Sequence, residues 1–437
     1  MIYTADVVLP MTADPIRNGG ILVKGDRIVA VGPDLPAEHP GEPVRDLGEC
    51  ILMPGFVNAH CHLDYTILRG AIGDLSFFQW VRSITRFAKR MEPDDFRVSA
   101  LLGAAELIQA GVTTVADASF SGAAFDALLE SGLRGIVFQE VFGYRAEDFT
   151  AEFDDLKSQL DVLIPRVTPR VGVGVSPHSI YTVSAGLFGA VRDMARSVGM
   201  PLSIHVAESA AERKFCLRGT GEIAQFYQDI GVEWKFPGVS PVQYLYDLGV
   251  LGQSTVAAHC VQVDENDLHI LAATHTGVAH CPTSNAKLGV GTAPVEAMLA
   301  DGVRLGLGSD SAASADRLDV RAEIERSLPP QAAELEPRVM VEAATIGGAR
   351  ALAMDAEIGS LESGKKADFI ALDISSARFA PCDDPYFAIA HLASGADVIL
   401  TVVDGEVLYD RPGICALDMQ LIKRRARESA VCVLGGD

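Results

Sequence analysis

Residues 170–199, RVGVGVSPHSIYTVSAGLFGAVRDMARSVG, contain the pattern that decides the fold of this chain. A short run of valines over 170–178 ends in polar and small residues, and a helix-length amphipathic stretch follows over 184–198. Ser184 is a suitable N-cap for this helix, and Gly199 is a suitable stop. A buried strand followed by an amphipathic helix is the unit from which parallel sheets are built.

The same unit recurs through the central region of the chain. We predict eight strands there, at 51–60, 113–119, 134–142, 170–178, 201–208, 254–260, 277–283 and 304–310. The predicted helices lie at 93–110, 122–132, 150–164, 184–198, 264–275 and 293–301, with Asp264 as a further N-cap and Gly111, Gly277 and Gly302 as further stops. Eight strands with helices between them over roughly 260 residues have the size of a (β/α)8 TIM barrel. An open doubly wound sheet is the alternative, but it gives no reason for polar residues to end nearly every strand.

Both ends of the chain differ from this centre. Residues 1–50 and 358–408 contain short strand-like runs with Gly-Asp turns, such as GGILVKGDRIVAVG at 19–32. We therefore expect an α/β protein with a barrel at 55–358 and one small β-domain that combines 1–54 with 359–437. The stretch from about residue 415 is expected to form a surface helix, because its charged run LIKRRARES is typical of a solvated helix face.

Composition and charge exclude several classes of partner. Lys and Arg number 36 against 58 Asp and Glu, so the net charge of -22 would repel a nucleic-acid backbone or an anionic membrane surface. No run approaches the 18 or more apolar residues that a membrane-spanning helix needs. The start of the chain lacks the features of a secretory signal, and the eight cysteines form no CxxC pair. We therefore expect a soluble, cytoplasmic protein with reduced thiols.

Imidazole groups mark the ends of the predicted strands. His60 and His62 stand two residues apart at the end of the first strand, so both side chains face the same space. Of only ten histidines in the chain, most lie at such ends, and Asp310 ends the eighth strand; the full set is His60, His62, His178, His205, His259, His280 and Asp310. Because active sites of barrels form at the carboxyl ends of the strands, these groups predict one metal site there. Imidazoles with one carboxylate suit zinc or iron better than calcium or magnesium.

The same strand ends carry motifs of a known family. In order along the chain, the motifs are PGFVNAHCHLDYTILRG (54–70), GVTTVAD (111–117), PHSIYTVS (177–184), HVAES (205–209), AAHC (257–260), HCPTSNAKLG (280–289), GLGSDSAAS (306–314) and TIGGARALAMDAEIGSLESGKKADFIALD (345–373). This set resembles the amidohydrolase superfamily, and within it the branch of deaminases and chlorohydrolases. The resemblance implies a TIM barrel with a composite β-sandwich domain from both termini. It also leaves open whether the chain forms a homo-oligomer.

The resemblance assigns a metal site and the catalytic groups. It implies that His60, His62, His205 and Asp310 ligate a divalent ion, with zinc expected first and iron as the alternative. Dinuclear relatives carry a Lys at the end of strand four, and RVGVGVSPHS (170–179) has none, so one ion is expected. The resemblance further implies that Asp310 is the general base, that His259 orients the water, and that Glu208 moves protons to the ring.

The resemblance also points to residues that contact or enclose the substrate. The resemblance implies that His178 contacts the substrate and that Trp80, in the long segment 61–92, bounds the cavity. His280 lies in a segment that shapes the pocket in the family, and it is expected to have a structural role. Glu140, at the end of strand three, either contacts the substrate or pairs with a cation such as Arg145. Two positions depart from the family pattern. Asp316 replaces an Asn of many relatives, and Ala88 replaces a Glu that grips ribose hydroxyl groups in adenosine-type deaminases.

These residues predict a metal-dependent hydrolytic deaminase that releases ammonia from an amino-substituted N-heterocycle, such as a purine, pteridine, pyrimidine or related nucleoside. Deamination of an aromatic ring requires a proton on the ring nitrogen as oxygen adds to the neighbouring carbon, and Glu208 fits that task. The alternative within the same site is a triazine dechlorinase or aminohydrolase, or a cyclic amidohydrolase. A non-catalytic scaffold is a third reading, but it predicts missing ligands, and all four matched positions are filled.

Overall fold

The computed structural model describes residues 1–73, 75–145, 149–328, 335–414 and 417–435. Its centre is an eight-stranded sheet in which every neighbouring pair of strands is parallel and the spatial order follows the chain order. The barrel strands are Phe56–Cys61, Val112–Ser119, Arg134–Val141, Val171–Pro177, Leu202–Val206, Thr255–His259, Gly277–His280 and Arg304–Leu307. They are called the first to the eighth barrel strand below.

A contact between the last and the first strand nearly closes this sheet. Cys61 and Asp310 form a parallel bridge, and the backbone N–H of Asp310 donates to the carbonyl oxygen of His60 at 3.1 Å. Apolar side chains of strands and surrounding helices form the main hydrophobic core. The predicted (β/α)8 barrel is therefore confirmed.

Helices follow or connect the barrel strands. Ser184 and Asp264 are N-caps as predicted, since their side chains accept hydrogen bonds from the backbone N–H groups of Leu187 and Asp267. After residue 92, the helices of the barrel region are Pro93–Gln109, Ala123–Ser131, Phe149–Leu163, Ala185–Val198, Ala210–Arg218, Glu222–Asp229, Pro241–Asp247, Glu265–Ala273, Pro282–Lys287, Val295–Ala300, Ala312–Ala315, Val320–Ser327, Pro337–Glu342 and Gly348–Ala351, with a π-helical turn at Ala343–Gly347 and a short 3-10 turn at Ile164–Arg166.

Both termini form a second, mixed sheet, as predicted. Its N-terminal strands are Ile2–Val8, Ile16–Lys24, Arg27–Gly32, Val44–Asp46 and Cys50–Pro54, and its C-terminal strands are Phe369–Asp373, Val398–Val403, Glu406–Asp410 and Gly413–Ile414. Cys50–Pro54 pairs antiparallel with Phe369–Asp373, which joins the two halves. Short helical turns accompany this sheet at Leu35–Glu38, Ala377–Phe379, Pro385–Phe387, Ala388–Leu392 and Gly395–Asp397.

The predicted strand 51–60 is wrong as a single element. Its first part pairs with Ile2–Val8 and Phe369–Asp373 in the mixed sheet, and the barrel strand begins only at Phe56. The break falls at Gly55, where an added Cβ would lie 2.1 Å from the Thr113 side chain on the second barrel strand. Only glycine permits this close approach, so the chain passes from one sheet to the other at this residue.

The segment around the seventh strand also differs from its prediction. The strand ends at His280 rather than at residue 283, because Pro282 begins the helix Pro282–Lys287. Gly277 does not stop the preceding helix, which ends at Ala273; it begins the strand, at a place where a Cβ would lie 2.1 Å from the Ala351 carbonyl oxygen. The small and apolar residues around Gly277 gave no sign of the first boundary, whereas Pro282 is a typical first residue of a helix.

The long segments and the C-terminal end contain helices of their own. Residues 61–92 hold the 3-10 helix Leu63–Leu68 and the α-helix Phe77–Ala88. The C-terminal helix Met419–Leu434 confirms the prediction for this stretch, and its Ala426 and Val433 are buried in an apolar cluster with residues of the long segment.

A buried charge network joins the mixed sheet to the barrel. Arg134, at the start of the third barrel strand, donates from Nε to Asp368 at 2.7 Å and from Nη2 to Asp404. Arg170, next to the fourth strand, also donates to Asp404, at 3.0 Å. Arg134 and Asp368 are 3% and 2% exposed, so each charge depends on the other, and the network fixes the barrel against the C-terminal strands.

Candidate metal centre and active site

Three histidines from distant parts of the chain meet at the carboxyl ends of the barrel strands. Ligand atoms of His60, His62 and His205 all lie within 4.8 Å of one another, and the Nε2 atoms of His62 and His205 are 3.0 Å apart. Asp310 Oδ1 lies 3.8 Å from His60 Nε2 and 3.7 Å from His62 Nε2. The structure thus brings together the four side chains that were predicted as metal ligands.

Hydrogen bonds behind the histidines orient them for metal binding. The Nδ1–H of His62 donates to the Ala118 carbonyl oxygen at 2.8 Å, and that of His205 donates to the His178 carbonyl oxygen at 3.0 Å. These bonds leave each Nε2 with its lone pair, which is the form that binds a metal. Burial is the largest cause that lowers the pKa of His60, His62 and His205, so the rings are neutral.

The donor set fits a divalent ion such as zinc. His60 Nε2 is buried and has no hydrogen-bond partner among the described residues, a condition that a metal ion relieves. The site offers the imidazole rings of three histidines and the carboxylate of Asp310. These groups match the nitrogen and oxygen ligands of zinc sites.

Asp310 is arranged to keep its charge at this site. Its Oδ2 accepts hydrogen bonds from the hydroxyl groups of Ser284 and, at 2.9 Å, Ser314, which leaves Oδ1 toward the imidazoles. Burial opposes the ionised carboxylate, but the nearby imidazoles, His259 above all, outweigh it and lower the pKa of Asp310 to about 2. The group is therefore an ionised carboxylate at neutral pH.

Three strands end in strained backbone at this site. Ala207, His259 and Asp310 follow or end the fifth, sixth and eighth strands with φ angles of 50°, 73° and 55°. Residues other than glycine seldom adopt such angles, and they cluster where side chains must be aimed at a functional centre. The turns bring Glu208, His259 and Asp310 close to the histidine cluster.

Glu208 and His259 form a second layer beside the predicted metal ligands. Glu208 Oε1 lies 3.8 Å from His259 Nε2, and both side chains are buried. Burial raises the pKa of Glu208 to about 7, although His259 opposes this rise. Burial also disfavours protonated His259, but the carboxylates of Glu208 and Asp310 and a hydrogen bond to Asn285 outweigh it and raise the pKa of the imidazole. Glu208 can therefore exchange protons near neutral pH.

Two residues of this layer had no assigned role in the sequence prediction. Asn285 Oδ1 accepts the Nδ1–H of His259 at 3.0 Å, which turns Nε2 toward the cavity. Glu212, which is fully buried, accepts the backbone N–H groups of Ala207 and Glu208 at 2.9 and 2.8 Å. The spacing Ser209-x-x-Glu212 is that of a capping box and could have pointed to Glu212; Asn285 lies in a matched motif, but nothing in its spacing marks it.

His178 lies against the ring of His205, and its contact with a substrate stays a prediction. Its ring centroid is 4.5 Å from that of His205, and its Nδ1 bonds with the hydroxyl groups of Thr182 at 2.9 Å and Ser179 at 3.2 Å. Burial lowers its pKa to about 3. The neutral ring therefore keeps Nε2 for another partner.

The remaining candidates lie in different settings. Trp80 is half-buried in the helix Phe77–Ala88 against the apolar core, and no ring contact or hydrogen bond joins it to the histidines within the described residues. His280 is buried at the end of the seventh strand, and burial lowers its pKa to about 3. Asp316 forms an ion pair with Lys287 at 2.5 Å. Contact of Trp80 with a substrate remains a prediction.

Comparison with known proteins matches this geometry. The amidohydrolase family model matches residues 51–408, which is most of the chain. The chain belongs to the amidohydrolase family. A 5-methylthioadenosine/S-adenosylhomocysteine deaminase of Symbiobacterium thermophilum is 36% identical over 444 residues, with 98% of each chain covered. A 5'-deoxyadenosine deaminase of Methanobrevibacter smithii is 31% identical over 446 residues, with 98% of this chain and 97% of the relative covered.

A solved structure extends the comparison to three dimensions. An adenosine deaminase from Xanthomonas campestris with bound zinc has a TM-score of 0.86 and 27% identity, with 99% of this amidohydrolase and 98% of that chain covered. The predicted enzyme class, a hydrolase of carbon–nitrogen bonds of the deaminase type, is thus confirmed. Zinc in that structure and the histidine cluster here support a divalent metal site. In the part of the chain that is described, no helix combines the length and apolar character needed to cross a membrane.

Proposed function

We propose that this amidohydrolase is a metal-dependent deaminase that replaces the exocyclic amino group of an adenine-type ring with oxygen and releases ammonia. The observation that carries this proposal is the buried Glu208, 3.8 Å from His259 and beside the four predicted ligands. A carboxyl group with a pKa of about 7 can both give and take a proton during the reaction.

His60, His62, His205 and Asp310 would hold one divalent ion, with zinc as the first candidate and iron as the alternative. When bound, such an ion supplies Lewis acid chemistry that makes water a nucleophile near neutral pH. A single ion is proposed because the fourth strand ends without a lysine. The Nδ1–H groups of His62 and His205 are donated to backbone carbonyl oxygens, which supports metal binding through their Nε2 atoms.

The other side chains handle protons and charge. Asp310 accepts a proton from the attacking water, and His259, held by Asn285, stabilises the negative charge that develops on the oxygen. Glu208 gives a proton to the ring nitrogen beside the carbon under attack. The proton taken from water then passes from Asp310 to the amino group, which leaves as ammonia. As the carbon–oxygen double bond forms, the added hydroxyl group returns its proton to Glu208, and the ring recovers its conjugation.

The pocket should bind the ring through His178 and be bounded by Trp80. Relatives named as deaminases of adenosine derivatives support an adenine-type ring. Ala88 ends the helix Phe77–Ala88, at the place where adenosine-type deaminases carry a Glu for ribose hydroxyl groups. We therefore propose that this enzyme holds the part of the substrate beyond the ring by different contacts.

Ammonia release from zinc-loaded protein tests the proposal. The substrates are adenine, adenosine, 5'-deoxyadenosine, 5-methylthioadenosine and S-adenosylhomocysteine, and a chlorotriazine is tested for chloride release. We expect ammonia from at least one of the five, and a loss of about 10²- to 10⁴-fold in kcat for Glu208→Gln. The matched control is Glu222→Gln, an exposed acid at the start of a neighbouring helix. Chloride release without ammonia release, or full activity of Glu208→Gln, would contradict the proposal.

A further inference from the structure

Glu140 is a buried acid that the proposed reaction does not use. It lies near the end of the third barrel strand and is 5% exposed. Alternation along this strand places Phe138 and Glu140 on the barrel interior, where Phe138 packs with interior residues of other strands. Gln139 points the opposite way and donates from Nε2 to the backbone carbonyl oxygens of Ser119 and Phe120.

The carboxyl group of Glu140 has no partner within the described residues. Its Oε1 is fully buried without a hydrogen bond. Arg145, the cation that could have paired with it, donates instead to the carbonyl oxygen of Ile230 at 3.3 Å. Burial raises the pKa of Glu140, and the charges of Asp64, Asp117 and Asp310 raise it further. Because a buried polar group without a partner is costly, its presence in a native cavity calls for a ligand.

A second metal ion is a poor candidate for the missing partner of Glu140. Ligand atoms of Glu140, His178 and His205 do lie within 4.8 Å of one another. However, His205 donates from Nδ1 to a backbone carbonyl at 3.0 Å and presents Nε2 to His62 at 3.0 Å. Without His205, only two side chains remain, which is fewer than structural or catalytic zinc sites use.

An unpartnered hydroxyl group lies beside Glu140. Ser176 is the register partner of Glu140 on the fourth barrel strand, and registered residues of parallel strands point to the same face. The Ser176 hydroxyl group is also fully buried without a hydrogen bond within the described residues. Two adjacent strands thus present unsatisfied polar groups to the same part of the barrel interior, near His178.

We propose that Glu140, with Ser176 beside it, is a specificity-determining subsite that receives a second hydrogen-bond donor of the substrate. This donor is an amino or hydroxyl group other than the amino group that leaves, on the ring or on the part attached to it. The inference rests on the proposed function, because it takes the ligand to be an adenine-type compound. The contact with Glu140 compensates for the absence of a glutamate at position 88, where this chain has Ala88.

Binding of unreactive deamination products tests this subsite separately from catalysis. The probes are inosine, its 2'-, 3'- and 5'-deoxy forms and guanosine, so that each comparison with inosine changes one donor. Dissociation constants are measured by calorimetry on the zinc-loaded wild type, Glu140→Ala, Glu140→Gln and Gln139→Ala. The last variant is the matched control, because Gln139 is the next residue of the same strand but faces away from the cavity.

We expect one donor to improve binding to the wild type by about 10- to 100-fold. That preference should fall to about one in Glu140→Ala, stay intermediate in the isosteric Glu140→Gln and be kept in Gln139→Ala. No donor preference in the wild type, equal weakening of all probes by Glu140→Ala, or loss of zinc from that variant would overturn the inference. Absence of ammonia release with a retained, Glu140-dependent preference would instead refute only the proposed function.

Discussion

Glu212 is expected to control the activity of Glu208 without touching the substrate. Its two oxygens accept the backbone N–H groups of Ala207 and Glu208 at 2.9 and 2.8 Å, inside a fully buried turn. In Glu212→Gln, the amide oxygen can accept only one of these N–H groups, and the amide nitrogen faces the other. One buried N–H group then loses its partner.

The size of the effect follows from that loss. An unsatisfied buried donor costs about 1–3 kcal/mol of folding free energy. The turn at Ala207, whose φ is 50°, also loses the restraint that aims the Glu208 carboxyl group. Since a displacement of about 1 Å can reduce catalysis about 10²-fold, we expect kcat/KM of Glu212→Gln to fall about 10- to 100-fold with unchanged zinc content.

Ammonia release is measured per folded, zinc-loaded chain, and urea unfolding gives the loss of stability. Glu222→Gln serves again as the control, because that acid is exposed on the adjacent helix. A variant that is less stable than the wild type but equally active per folded chain would refute the reasoning. Such a result would mean that the turn keeps its shape without the carboxylate.

Three further predictions concern the pocket, the pH response and the domain contact. Asn285→Ala removes the acceptor at 3.0 Å from His259 Nδ1, so kcat should fall about tenfold or more with little change in zinc content; unchanged kcat in ammonia assays would refute this. Burial raises the pKa of Glu208 to about 7, so the protonated acid is present below that pH and lost above it. We therefore expect kcat/KM to fall as the pH rises through about 7, and a value of kcat/KM that still rises at pH 9 would contradict this expectation. Arg134→Met breaks a buried ion pair at 2.7 Å and should lower the free energy of unfolding in urea by about 3–5 kcal/mol. Arg97→Met breaks an exposed pair and should lower it by less than about 1 kcal/mol; equal losses in the two variants would contradict this ranking.

The sequence predicts that the four candidate metal ligands meet, because each of them lies at the carboxyl end of a barrel strand. Parallel barrel strands bring their carboxyl ends to one mouth, so His60, His62, His205 and Asp310 meet there, although residues 60 and 310 lie far apart in the chain. The βα repeat and the Ser184 cap depend on local patterns, and both are readable without the structure.

Other features depend on contacts between distant residues. The transfer between sheets at Gly55 is set by the Thr113 side chain on another strand, and an apolar run gives no sign of it. Asn285 is recognisable only when its oxygen is seen next to His259. The sequence left two interpretations of Glu140, a contact with the substrate or an ion pair with a cation such as Arg145. Only the structure shows that Arg145 donates its hydrogen bond to another group, the carbonyl oxygen of Ile230.

Metal analysis of purified protein reconstituted with zinc tests the central claim most directly. The four-ligand site predicts one zinc ion per wild-type chain and a loss of bound zinc in both His62→Ala and His205→Ala, together with all ammonia release. The Nε2 atoms of these two residues are 3.0 Å apart, so neither variant should retain the ion by itself. Full zinc content in either variant, or two ions per wild-type chain, would contradict the account.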